Sequence, residues 1–266
     1  MITALRDIAK RREMLHSLVS RELKSRYKGS VLGFLWSIMT PLFMAVIYVF
    51  FLRLLARGVP VEEIVIGVFA WQFTIQSVQS GMESITGNSN LVKKVAFPRI
   101  ILPTSTTLAA LVNFLLSLVV QFVLLFIIFH LRGTSMNPWA LAMPVLIAYH
   151  TVFNLSVAML VGAANVYYRD TRHLVGVLLT AWFFISPVMY PLSMVQAFAE
   201  GRPWLNDLYV LNPMAGIVTG YRALVLPGTS FDWTVYSVAG FLWPFALLVI
   251  AMAVFKKAQR NFADFL

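Results

Sequence analysis

The chain has 266 residues, 59% of them hydrophobic and 12% charged, with 21 Lys and Arg set against 11 Asp and Glu for a formal charge of +10. A soluble core of this size does not need so much apolar surface, so the composition excludes a water-soluble globular domain and makes lipid the solvent. Cysteine does not occur, which removes disulfides, thiol nucleophiles and cysteine metal sites. The basic residues flank apolar segments instead of forming one patch interleaved with aromatics, so the charge does not imply a nucleic-acid partner.

The first 30 residues are basic and precede an apolar run, but the charged stretch is too long for a signal peptide and no small-residue cleavage site follows, so it reads as an uncleaved cytoplasmic start. Between residues 5 and 24, Leu5, Ile8, Leu15, Leu18, Val19 and Leu23 fall on one helical arc, with Arg6, Lys10, Glu13, Ser17, Arg21 and Lys24 opposite. That pattern predicts an amphipathic helix in the membrane interface, basic face towards anionic headgroups; the same face packed on protein is the alternative.

Hydropathy predicts spans at 31–55, 61–82, 100–129, 139–165, 172–190 and 235–255. Lipid tolerates no unpaired backbone, so each must be helical. The expected fold is an all-α polytopic membrane protein of about six transmembrane helices, a single transmembrane domain over 1–266. Its parts are an interfacial helix in 1–28, spans one to five in 31–190, an external segment in 191–234, and the last span with a cytoplasmic tail in 235–266. Within 191–234, Pro213 to Leu226 is apolar but too short to cross comfortably, which suggests a re-entrant or interfacial hairpin. With a cytoplasmic N-terminus, sixteen of the 21 basic residues fall inside and only Arg53, Arg57, Arg132, Arg202 and Arg222 outside, so both termini are placed in the cytoplasm.

Polar residues inside spans carry more information than aromatic ones, because each costs free energy unless it finds a partner or lines water. Gln72, Gln76 and Gln79 recur at helical spacing on the second span and would suit a hydrophilic channel or helix-to-helix hydrogen bonding. The third span adds Asn113, Ser117 and Gln121, and the fourth Asn154. Phe43, Tyr48, Trp182, Phe183 and Tyr190 could line such a channel with aromatic surface, or simply face lipid. No carboxylate lies mid-span to serve an ion relay, and no G-x-x-x-x-G-K-[ST] loop occurs, so the sequence offers no nucleotide-hydrolysing site of that kind. Arg169, Asp170, Arg172 and His173 make a poor metal set and read as an ion pair at a helix start, with Asp170 as a cap. A catalytic arrangement and a metal site are both missing from the pattern.

Four ordered strings carry a family resemblance. RELKSRYKGSVLGFLWSIMTPL, Arg21 to Leu42, places Arg26 and Lys28 at headgroup depth, lets Gly29 and Gly33 bend, and offers Trp36 as an anchor. NSNLVKKVAFPRIILP runs from Asn88 to Pro103, YYRDTRHLVGVLLTAWFFISPVMYP from Tyr167 to Pro191, and LNPMAGIVTGYRALVL from Leu211 to Leu226. The chain thereby resembles the permease subunits of polysaccharide-exporting ABC transporters, the O-antigen, capsule and teichoic-acid exporters, over nearly its whole length. The resemblance implies a signature at Arg26, Tyr27, Ser30, Gly33 and Trp36. It implies an ATPase-coupling surface at Asn88, Leu91, Val92, Lys93, Lys94, Phe97, Pro98 and Arg99, joined by Arg169 and Asp170, and makes the last string a re-entrant outer gate. It further implies a homodimer in the inner membrane that binds two copies of a nucleotide-binding ATPase subunit, with ATP and Mg on that partner and no cofactor here. The cargo would be a lipid-linked polysaccharide, and membrane lipids the surrounding partner. An ion-gradient-driven flippase, a membrane enzyme of glycan assembly, and an ABC exporter of drugs or small lipids are the competing readings.

Overall fold

The structure, a computed structural model, describes residues 11–33, 35–55, 59–231 and 233–266, without the side chains of 26, 27, 37 and 52–55. Every regular element among them is helical. In chain order they are α1 Arg12–Tyr27, α2 Leu35–Leu55, α3 Val61–Glu83, α4 Ser89–Lys94, α5 Ile101–Arg132, α6 Met143–Tyr167, α7 Thr171–Ile185, α8 Leu192–Phe198, α9 Pro203–Val210, α10 Pro213–Val225, α11 Val235–Ala258 and α12 Phe262–Phe265. Three helical stretches, Ile101–Arg132, Pro138–Tyr167 and Val235–Phe265, are long and apolar enough to cross a membrane, and Ile38–Phe51 and Thr171–Ile185 are shorter apolar helices.

Local chemistry sets the boundaries. α5 ends in a left-handed Gly133 with φ 66°, where the Gly133 amide donates to His130 O and the Thr134 amide to Phe129 O, closing the last turn. Asn212 accepts from the Met214 amide and Pro213 opens α10; Thr234 and Ser237 cap the start of α11 reciprocally. α7 stops at Ile185, short of the expected 190, because Pro187 pushes Ser186 into an extended conformation at φ −97°, ψ 150°. Its 15 residues make a rod of about 22 Å, less than the hydrocarbon thickness of roughly 30 Å.

α3 is the central post, packed on α2, α5, α6 and α10. Against α6 it comes very close: a Cβ on Gly81 would sit 2.4 Å from that of Ala158, and one on Gly162 2.8 Å from Gly81 O. Small residues at these positions let the two backbones touch. One apolar cluster fills the middle of the bundle, and a second holds the α4 end together, joining Leu18, Val92, Met159, Val166, Phe255 and Phe262. Leu18 is buried there and α1 runs along α5, so the apolar face of the amphipathic helix is packed at least in part on protein. Residues 5–10 of that predicted helix lie outside the described residues.

The segment between α7 and α11 is more structured than a hairpin. α8 and α9 are short helices, and α10 is buried against α3, α6 and α11. Arg222 of α10, 2% exposed, locks this packing. Its Nε and Nη2 donate to Glu63 O at 3.1 and 2.9 Å, Nη2 also to Val188 O at 3.1 Å, and Nη1 to Tyr190 O at 2.9 Å. The Glu63 carboxylate stands 3.7 Å away. Gly67 makes room, since a Cβ there would meet Val188 O at 2.2 Å.

Candidate functional site

The periodicity of α3 turns a polar stripe, Gln72, Gln76, Gln79 and Glu83, to one side of a helix whose other faces are buried. α5 supplies a facing stripe of Thr106, Asn113 and Ser117. Between them runs an open groove of 1130 Å³, closed on its flanks by Trp36 and Thr40 of α2 and by Val175 and Gly176 of α7. The groove begins at the α4 end, where Arg21, Glu22, Asn88 and Arg172 line its mouth, and reaches Gln72 near the middle of α3. An amide facing lipid costs free energy and an amide facing a wet groove does not, which is a physical reason for this arrangement. Phe69, Phe73 and Phe114 add aromatic surface at the inner end, with Phe73 and Phe114 stacked at 4.7 Å.

The mouth is tied by charge. Arg172 pairs with Glu83 at 2.8 Å, and Arg21 donates to Asn88 Oδ1. Both members of the first pair are more than half exposed, so the pair orients the helix ends and contributes little stability. Asp170 occupies the residue before α7 but makes no side-chain cap, and its expected pairing with an arginine falls instead to Glu83. The reason is geometric: Asp170 is already helical at φ −73°, ψ −10°, and a cap residue needs extended backbone to reach the free amides.

The second constellation is the connection between α3 and α5. A 3₁₀ turn at Thr86–Asn88 leads into the six-residue α4. Val92 is 2% exposed in the lower cluster, with Leu91 and Phe97 packed beside it, while Lys93 and Lys94 of the last turn point to solvent. Their charges suit the C-terminal end of the helix dipole. Asn88 Nδ2 donates to Ser84 O at 2.8 Å, and Arg99, following Pro98, donates to Gln259 O. Asn165 of α6 reaches Met82 O at 3.0 Å and Thr86 Oγ1 at 3.2 Å, binding the end of α6 to the start of this connection. Arg169 and Asp170 are exposed in the turn that follows α6. α12 lies against α4, with Phe262 in the same cluster as Val92. The connection is therefore a small block whose two lysines are exposed and whose apolar face is anchored in the second cluster.

Of the N-terminal signature, Ser30 Oγ accepts from the Gly33 amide at 3.2 Å, and Gly29 and Gly33 take φ of 79° and 49°. These are left-handed values that other residues rarely adopt. Trp36 is exposed at the start of α2 and lines the groove. The side chains of Arg26 and Tyr27 lie outside the described residues.

The groove gathers Gln72, Gln76 and Gln79 but not the other channel candidates. Trp182 packs edge-on against Trp71 and Phe153 at 5.7 Å each and donates from Nε1 to Asn212 Oδ1 at 2.9 Å. Phe183 packs on Trp71 and Tyr48 at 5.7 and 5.4 Å. Tyr190 donates to Phe184 O and receives a hydrogen bond from Tyr209. Phe43 is exposed on α2. Sequence reasoning gave no role to Glu83, which pairs with Arg172 at the groove mouth, to Asn165, which ties α6 to the α3–α5 connection, or to Arg222, which locks α10. Asn212 Nδ2 also donates to Ser186 Oγ at 3.0 Å, so one asparagine caps α10 and fixes the end of α7.

The groove opens within a bundle that contains three helices long and apolar enough to cross a membrane, which makes the chain a multi-pass membrane protein. Residues 13–226 match the ABC-2 type transporter family, and the chain belongs to it. It is 34% identical to the O-antigen export system permease protein RfbA of Myxococcus xanthus, with 99% of both chains covered. It is also 28% identical to the O-antigen export system permease protein RfbA of Klebsiella pneumoniae, over 96% of this chain and 95% of that one.

Proposed function

We propose that this chain is the permease subunit of an ABC exporter that carries a lipid-linked polysaccharide of O-antigen type across the inner membrane, with ATP hydrolysed on a separate subunit. The observation that carries the proposal is the groove: it reaches from the α4 end to the middle of α3 and is lined by amides, hydroxyls and aromatic rings. Such a lining exchanges weak contacts with a sugar chain without binding any one unit tightly. The curated relatives are named for O-antigen export and match along nearly their entire length, which supports the same cargo here.

In this reading the α4 end faces the cytoplasm, the chain crosses the membrane six times with α2, α3, α5, α6, the 172–190 segment that begins with α7, and α11, and α8 to α10 form the outer, re-entrant gate. Two copies pair so that their grooves share one path, and each docks an ATPase subunit on Lys93, Lys94, Arg169 and Asp170. The anchored face of α4 turns a push on its basic face into movement of the α3 and α5 ends. Deleting the chain in a cell that displays the glycan is expected to trap it on the inner side. Re-expression restores display only with an ATPase partner that can hydrolyse ATP. Display restored with a hydrolysis-dead partner contradicts the proposal.

A further inference from the structure

A second cavity, of 340 Å³, lies apart from the groove and is built by α8, α9, α10, the start of α11 and the loop before it. Gln196 of α8, Asn206 of α9, and Phe231, Trp233 and Thr234 of the loop entering α11 line it. Its aromatic wall is preformed: the Phe231 and Trp233 rings are 4.7 Å apart, and both lean on Phe241, at 5.3 and 5.7 Å. Trp233 nonetheless stays 68% exposed. Thr234 is held by its cap to the Ser237 amide, and Gly240 lets the end of α9 lie directly on α11, since a Cβ there would be 2.5 Å from Val210 O. Among the described residues, Asn206 Oδ1 is buried without a hydrogen-bond partner. A buried acceptor left in that state costs free energy until a donor reaches it.

Among the described residues the lining is made of amides, hydroxyls, aromatic rings and aliphatic side chains. Planar amides that donate and accept, a hydroxyl, and an aromatic wall suit a neutral, hydroxyl-rich ring with an apolar CH face. The volume sits at the lower end of the roughly 300–1,000 Å³ of small-ligand sites, room for a short stretch of glycan. We infer that this cavity is a glycan-holding subsite at the exit of the permease, where the emerging chain rests on Trp233 and hydrogen-bonds to Asn206 and Gln196. The inference rests on the reading that the chain exports a polysaccharide and that α8 to α10 face outward. A weak hold beyond the groove resists backsliding between strokes of the ATPase.

The test places a photo-crosslinking residue at one position at a time, Gln196→p-benzoylphenylalanine or Gln76→p-benzoylphenylalanine, in cells that assemble the glycan and contain the partner ATPase. Adducts are read with a glycan-specific antibody. The expected result is a glycan adduct at both positions, with Trp233→Ala or Asn206→Ala lowering the Gln196 adduct about threefold to tenfold and sparing the one at Gln76, which also shows that the variant is folded. An adduct at Gln76 but none at Gln196, or a Gln196 adduct indifferent to Trp233→Ala, overturns the subsite and leaves the export reading standing. Adducts at neither position in cells displaying the glycan overturn both.

Discussion

Arg222 shows how one side chain can set an architecture. Its guanidinium ties the start of α3, through Glu63 O, to the turn after α7, through Val188 O and Tyr190 O, and to α10, on which it sits. Arg222→Met would leave those carbonyls and the Glu63 carboxylate without their donor, which costs about 3–5 kcal/mol when a buried charge loses its partner. Thermal unfolding of the purified protein in detergent should show the loss. Arg222→Lys should recover only part, because one ammonium cannot serve carbonyls spread over the fork. Wild-type stability in Arg222→Met would contradict this role. The glutamines behave oppositely: Gln72, Gln76 and Gln79 replaced together by Leu should keep the fold, since these amides line the groove, but lower surface glycan severely. An unchanged glycan level would remove the groove from the transport path. The glutamine stripe is legible in the sequence because its period is that of the helix. Arg222 is not, because its carbonyl partners lie 32, 34 and 159 residues away, and a lone arginine in an outer segment reads as an ordinary exposed charge.

At the scale of elements, α4 is the piece whose shape matters. Val92 sits in the lower cluster at the middle of a six-residue helix. Val92→Pro removes a backbone donor and breaks so short a helix at about 3 kcal/mol, so the protein should insert with the correct orientation but lose ATPase association or export. Val92→Ala is the control for lost volume: it costs about 1–3 kcal/mol and should keep association. Co-purification with the ATPase separates the two variants, and association retained by Val92→Pro would reduce this connection to a positively charged anchor. Its helix, its basic face and its Pro98 boundary could be read from residues 88–99. The early stop of α7 could also be read from Ser186 and Pro187, but the apolar run continuing to Tyr190 outweighed that signal. Trp182 and Phe183 were harder, because an aromatic residue in an apolar helix does not say which face it occupies until Trp71, Phe153 and Asn212 are in place.

For the whole molecule, hydropathy located the long apolar helices among the described residues and marked the segment that becomes α10, but not its burial, which depends on α3, α6 and α11 meeting around it. α3 is less apolar than the three longest candidate spans because its glutamines face the groove and its glutamates stand at its ends. Orientation is checked by single cysteines introduced into this cysteine-free chain: residues 134 and 202 should label from outside and residues 90 and 170 only from the cytoplasm. Labelling of 90 or 170 from outside would invert the account. Export itself is tested most directly in sealed vesicles holding the purified chain, its ATPase partner and the lipid-linked glycan on the ATPase side. The account predicts that glycan becomes protected inside the vesicles only when ATP is supplied and hydrolysed, with no response to an imposed proton gradient. Protection that follows the proton gradient and ignores ATP would contradict it.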